Sequence, residues 1–208
     1  MSLPHPLRLS RRLTAAPTHA GPTRRGLLIG GVLYGVAGAA AASDDAARAL
    51  QRGGVVVAFR HAHAPGTYDP PDFRLGDCRT QRNLNAAGRA QSRALGAWFA
   101  ARGLAPEHVR SSPWCRCVDT ATLAFGRAQT WAALGSPHNA SAAQTDAALH
   151  ALRHALADVS SRPGFEVWVT HMFLLSQLAG VNLAAGEGVV LRVAADERIE
   201  VVARLQPA

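Results

Sequence analysis

Arg60-His61 closes the apolar run Gly54-Val55-Val56-Val57-Ala58-Phe59, and His171 closes a second run, Phe165-Glu166-Val167-Trp168-Val169-Thr170. A β-branched run that stops at a polar pair reads as a buried parallel strand, with its last residues at the carboxyl edge of the sheet. Open α/β sheets bind ligands at that edge. Two strands therefore carry two imidazoles and a guanidinium toward one place. Such a set suits a phosphoryl group, whose transfer needs positioning and charge neutralisation more than covalent help. A short strand-like segment, His108-Val109-Arg110-Ser111, leads into Ser112-Pro113, which reads as an N-cap followed by proline at the first helical position. Arg116 then falls in the first turn of that helix, where free backbone amides and the positive dipole end favour an anion. Its planar fork matches two phosphate oxygens.

The elements that must position these residues alternate along the chain. Residues 44–52 read as a short amphipathic helix capped by Asp44 or Asp45, and 54–59 as the first strand. The segment 63–83 is irregular, with Pro65-Gly66, Asp69-Pro70-Pro71 and Gly76-Asp77; unstructured loops of that length are functional or disordered. Asn85 opens a helix in which Ala90, Ala94, Leu95, Trp98 and Phe99 recur at three and four, stopping at Gly103. Helices follow at 113–125, ending at Gly126, and at 141–158. A strand at 165–170, a helix at 172–180 and paired strands at 187–194 and 198–204 complete the chain. Strands alternating with helices predict an α/β fold, a three-layer sandwich with a mostly parallel central sheet flanked by helices. No internal repeat and no second domain is visible.

The formal charge of +8 is a poor guide to partners. Residues 1–42 hold five Arg and no acid, leaving 17 Arg against 14 acids from residue 43 onward, a net +3. That balance, without a basic run, gives no support for nucleic-acid binding. There is no Lys, so any anion clamp here is built from guanidinium. Thr23-Arg24-Arg25-Gly26-Leu27-Leu28 begins a Gly/Ala-diluted apolar stretch ending Ala40-Ala41-Ala42-Ser43, the order of an export signal. The paired Arg points to the twin-arginine route. Gly26 to Ala42 is too short and too diluted for a membrane span. The expected organisation is an export signal over 1–42, a catalytic domain over 43–208, and a periplasmic location with no stable membrane span. In an oxidising compartment Cys78 can bridge to Cys115 or Cys117; partly buried free thiols are the alternative.

Arg60-His61, the helix start Ser111-Ser112-Pro113-Trp114-Cys115-Arg116-Cys117-Val118-Asp119-Thr120-Ala121, and Thr170-His171 together resemble the histidine phosphatase superfamily, the phosphoglycerate mutase-like family. The helix Leu84-Asn85-Ala86-Ala87-Gly88-Arg89-Ala90-Gln91 looks like that family's first helix, and the likeness runs in order over about 54–180. It implies a phosphoglycerate mutase-like fold. It also implies that His61 takes the phosphoryl group onto a ring nitrogen while Arg60, Arg116 and His171 surround its oxygens. His61 must be neutral to attack, and Arg60 beside it disfavours imidazolium by like-charge repulsion. The chain departs from the family in Ala62, where a Gly usually follows the Arg-His pair; the extra methyl is tolerable only at negative φ. The length resembles the small branch that includes phosphohistidine phosphatases and lipopolysaccharide-core phosphatases.

These readings converge on an exported phosphoric monoester hydrolase working through phosphohistidine on His61. Its substrate would be a phosphorylated small molecule or envelope glycan. The alternatives are a catalytically weak phosphate-binding envelope protein and a phosphoryl mutase. Asp146 and Asp77 are weak candidates for the proton donor, with Asp69 and Asp72 behind them. Arg74, Arg79 and Arg82 read singly as solvated surface, with a possible part in a wider anion field. No cofactor and no metal is expected. His61 and His63 alternate at a strand end and so face opposite sides, and His150 and His154 share a helix face near solvent.

Overall fold

The computed structural model describes residues 33–206 apart from residue 139. The proposed leader lies largely outside the described residues. In chain order the elements are helix α1 (Leu33–Arg52), strand β1 (Val55–Arg60), α2 (Ala86–Ala100), β2 (His108–Ser111), α3 (Cys115–Phe125), β3 (Gln129–Thr130), α4 (Ala142–Ser160), β4 (Phe165–Thr170), α5 (Met172–Ala179), β5 (Gly188–Val193) and β6 (Ile199–Leu205). Single 3₁₀ turns lie at Cys78–Thr80 and Ala132–Leu134.

Strand periodicity builds the three layers. Along β1, Val55, Val57 and Phe59 pack with Ala46, Ala49 and Leu50 of α1, Leu95 and Phe99 of α2, and Cys117 and Ala121 of α3. Val56 and Ala58 point the other way, into Leu152, Leu156 and Val159 of α4 and Leu174, Leu175 and Leu178 of α5. Both faces of β1 are covered, which is why it reads as a continuous apolar run. The six strands follow the order β3-β2-β4-β1-β5-β6. The pairings β1–β4, β2–β4 and β2–β3 are parallel, whereas β5 and β6 join the far edge antiparallel. The α/β sandwich with a mostly parallel sheet is the fold that the sequence predicts.

Register does the positioning. Arg60 pairs across the ladder with Thr170, and the His61 amide donates to the Thr170 carbonyl at 2.9 Å. His61 and His171 therefore leave the sheet side by side. Ser111 pairs with Val169, which brings the start of α3 to the same edge.

Three details differ from the sequence reading. The first helix begins at Leu33 rather than 44, so the boundary drawn at residue 42 falls inside it. Helix α3 starts at Cys115, and its N-cap is Trp114, in extended conformation, rather than Ser112. The Ser112 hydroxyl faces a histidine instead, as described below. The edge strand β3 and the turn after it escape the sequence reading because two exposed residues carry no periodic pattern.

The long segment between β1 and α2 has almost no secondary structure, but it is tied down. A Cys78–Cys115 disulfide, with Cα atoms 5.7 Å apart, fastens it to the first residue of α3, and Cys117 stays a buried free thiol. The Gln81 carboxamide oxygen accepts the Cys115 amide at 3.0 Å, occupying one of the free N–H groups that open α3. Arg82 donates to the carbonyls of Ala64 and Gly66 at 2.8 and 2.6 Å. Gly88 lets α2 approach this segment, since a Cβ there would collide with the His63 carbonyl.

Candidate active site

Arg60, His61, Arg116 and His171 line one cavity of about 130 Å³ at the carboxyl edge of the sheet. All four residues expected from the sequence are brought together. The two imidazoles stand edge to face, with ring centroids 5.6 Å apart, and each is 4% exposed.

Each ring is held by a backbone or hydroxyl group. The Nδ1 of His61 lies 2.8 Å from the Ala62 carbonyl, which can only accept, so Nδ1 carries the proton and Nε2 the lone pair. Arg116 Nε donates to that Nε2 at 3.2 Å. His171 Nε2 lies 2.8 Å from the Ser112 hydroxyl, which also accepts the Trp114 amide at 3.3 Å. With the hydroxyl donating to Nε2, the His171 proton sits on Nδ1, the nitrogen left for a ligand. Burial, then the charges of Arg116 and Arg60, push the His61 imidazole down to about 3; only its bond to Ala62 works the other way. His171 is lowered well below its usual range for the same reasons, burial first. Both rings are neutral at pH 7.

The cavity is short of negative charge. Arg60, Arg82 and Arg116 line it, and Asp69 is the only acid among the described lining residues. Arg116 is 4% exposed and pairs with Asp69 at 2.8 Å. Arg60 and Arg82 have no carboxylate partner among the described residues; their polar bonds go to the carbonyls of Leu183 and of the loop. Burial, together with the charge of Arg116, lowers both guanidinium groups below their ordinary range, and only Asp69 works the other way, at Arg82. Three guanidinium groups against one carboxylate suit the binding of a dianion.

The loop supplies what sequence reasoning missed. Arg82, read as surface, is half-buried in the cavity wall, whereas Arg74 and Arg79 pair with Asp77 in solvent. Asp77 is thereby fixed away from the cavity, and Asp146 lies exposed on α4; neither lines the site. Asp69 does. Burial would raise its carboxyl, but hydrogen bonds from the Arg82 amide, Arg116 and the Trp114 indole outweigh it and keep it ionised. Cys117 sits 3.6 Å from His171 Nε2 as a thiol, pushed up to about 12 by burial. A signal for Arg82 existed in its place at the end of a long loop; none existed for the pairing of Asp69 with Arg116.

Ala62 occupies the usual Gly position without strain: Glu197 is the only described non-Gly residue with positive φ, and the Ala62 amide donates to Thr120 Oγ1 at 3.0 Å. His63 turns out of the cavity toward Asn85, and His150 and His154 face each other on an exposed helix surface. Among the described residues no three His, Cys, Asp or Glu side chains group as metal ligands, and no helix is long and apolar enough to cross a membrane.

Residues 56–135 match the model of the histidine phosphatase superfamily, branch 1. No curated protein matches the sequence. Among solved structures, the protein histidine phosphatase SixA in complex with tungstate is 15% identical, with a TM-score of 0.54, covering 74% of this chain and 97% of its own. A phosphoserine phosphatase from Entamoeba histolytica with bound phosphoserine is 10% identical at a TM-score of 0.55, covering 74% and 97%. The product of the open reading frame Rv3214 from Mycobacterium tuberculosis is 14% identical at 0.55, covering 74% and 98%. The matched segment, which holds His61 and Arg116, is similar to the histidine phosphatase superfamily, and the fold that places His171 beside them is shared with these solved structures.

Proposed function

We propose that this protein is a phosphatase that hydrolyses phosphomonoesters through a phosphohistidine on His61. The observation that carries the reading is the excess of guanidinium over carboxylate around two neutral imidazoles in one cavity. The substrate phosphate displaces Arg116 from His61 Nε2, so that the guanidinium binds phosphoryl oxygens and the ring's lone pair is released. Nε2 attacks phosphorus as the ester P–O bond breaks, and the leaving oxygen takes a proton from solvent water at the cavity mouth. A water oxygen then attacks phosphorus, the P–N electron pair returns to Nε2, and the water's proton passes to solvent, releasing phosphate and restoring neutral His61. Arg60 and Arg82 neutralise the equatorial oxygens as charge spreads over them, and the Nδ1–H of His171 donates a hydrogen bond to one of them. Asp69, held as an anion by three donors, orients Arg116 and is poorly suited to give up a proton.

Ala62 is the departure that favours a weak phosphate-binding protein; its unstrained backbone weakens that alternative, and a mutase finds no specific support. We extend the proposal to export by the twin-arginine route into the periplasm. Arg24-Arg25-Gly26-Leu27-Leu28 supports it, as does a disulfide that needs an oxidising compartment to persist. The likeness to lipopolysaccharide-core phosphatases adds phosphorylated envelope glycans to small phosphomonoesters as substrates to test.

The purified protein is expected to release phosphate from small phosphomonoesters, to be inhibited by vanadate or tungstate, and to keep its activity in EDTA. His61→Ala is expected to remove activity with the circular dichroism spectrum unchanged. Retention of more than about a tenth of wild-type activity would exclude His61 as nucleophile, because loss of a covalent nucleophile costs many powers of ten.

A further inference from the structure

Four large apolar side chains are conspicuously exposed among the described residues, and two of them, Tyr68 at 59% and Phe173 at 42%, stand at the mouth of the phosphate cavity. They come from different parts of the chain, Tyr68 from the long loop and Phe173 from the first turn of α5. Between them lies His138, from the loop before α4. Tyr68 stacks on His138 with centroids 4.7 Å apart and planes 25° apart, and His138 faces Phe173 at 6.4 Å and 27°. Three planar rings in near-parallel order thus line the way out from His61.

A phosphoryl group held by the guanidinium cluster and attacked in line by Nε2 points its ester oxygen away from His61, toward solvent and this rim. The group attached to that oxygen meets a rim of exposed aromatic rings. Among the described residues it finds few polar partners: the remaining mouth residues are Gly66 and Met172 with the hydroxyl-bearing Thr67 and Ser136, and Asp69 is already bonded to Arg116 and Trp114. Recognition of a hydroxyl-rich ring would call for buried donors and acceptors facing it, which the described rim residues do not offer.

Resting on the phosphatase reading, we propose that Tyr68, His138 and Phe173 form a leaving-group subsite that selects phosphomonoesters of planar aromatic groups over those of glycans. Stacking on exposed rings releases water from both partners and adds aromatic contact, while the phosphate supplies the charge-dependent part of affinity. The two parts are separable, and so are their tests.

The experiment compares phosphonates, whose C–P bond removes leaving-group reactivity from the comparison. Affinities of 2-naphthylmethylphosphonate, methylphosphonate and a glucose-derived phosphonate are measured on the full chain by calorimetry. The naphthyl ligand is expected to bind about tenfold more tightly than methylphosphonate, the scale of one good aromatic contact. That ratio should fall by at least about threefold in Tyr68→Ala and in Phe173→Ala, as each removes one stacking face. Equal affinities of the naphthyl and methyl ligands, a ratio untouched by both substitutions, or an equal gain for the glucose-derived ligand would each overturn the subsite. Because binding is read without turnover, failure to hydrolyse any ester would count against the phosphatase reading and leave an aromatic preference standing on its own evidence.

Discussion

Strand β4 ends in two ionic clusters that obey opposite rules. At its amino end Glu166 is fully buried, and its carboxylate is matched by Arg162 at 2.8 Å, Arg110 at 3.3 Å and the Trp168 indole at 2.9 Å. Arg162 is itself shared with Glu107 and Asp158. At the carboxyl end, five residues along, His171 faces Arg60, Arg82 and Arg116, with Asp69 the one carboxylate among the described lining residues. In the first cluster the buried carboxylate is matched by two guanidinium groups. The second is open, over-supplied with cations, and holds two imidazoles neutral by burial and like charge. A buried ion cluster that only supports a fold ends up matched, because an unpaired buried charge is costly. Imbalance beside an open cavity marks the end that receives a ligand.

The largest expected effect that separates the two ends is on rate. Arg116→Lys keeps the charge but loses the fork that spans His61, Asp69 and a phosphate, so kcat should drop about a hundredfold with the melting temperature little changed. A change confined to KM would mean that Arg116 binds substrate remotely from the transferring oxygens.

Glu166→Gln should do the reverse. Stripping the carboxylate from its guanidinium partners should cost about 2–4 kcal/mol of stability in urea titrations while kcat/KM on the folded fraction stays within about twofold. Equal damage to catalysis would show that the two ends of β4 are coupled rather than separate.

A third difference lies in pH dependence. Both imidazoles have depressed folded-state pKa values, so their contribution is fully present above the unfolded value near 6.5 and is lost as pH falls below it, for His61 down to about 3. Each neutral ring should remove about 1.4 kcal/mol per pH unit within that window. Replacing His61 with Asn should flatten that slope by one ring's share, measured as urea midpoints between pH 7 and pH 4. An unchanged slope would mean that the ring titrates normally.

How much of this was legible beforehand depended on where the chemistry sits. Residues at strand ends, His61 and His171, could be placed because buried parallel strands announce themselves as apolar runs and deliver their last residues to one edge. Arg116 could be placed because its helix follows a strand closely, even though the cap proved to be Trp114 and Ser112 was taken by His171. Residues on the long loop could be named, Arg82 for a wider anion field and Asp69 as a lesser donor candidate, but not placed. Arg82, Asp69 and Tyr68 reach the cavity through the Cys78–Cys115 bridge, the Gln81 cap on α3 and hydrogen bonds to carbonyls, none of which leaves a periodic trace. The proton donor candidates Asp77 and Asp146 misled for the same reason: acid in the right stretch of chain is not acid in the cavity.

The central claim is that the unbalanced end of β4 exists to place a phosphoryl group on His61 Nε2. A single-turnover reaction with excess enzyme, quenched in alkali to protect the P–N bond and mapped by mass spectrometry, tests it directly. The account predicts a transient adduct of one phosphoryl group on His61, rising before phosphate is released and absent from His61→Ala. Turnover at full rate with no phosphorylated histidine at any time point, or with the label on another residue, would contradict it.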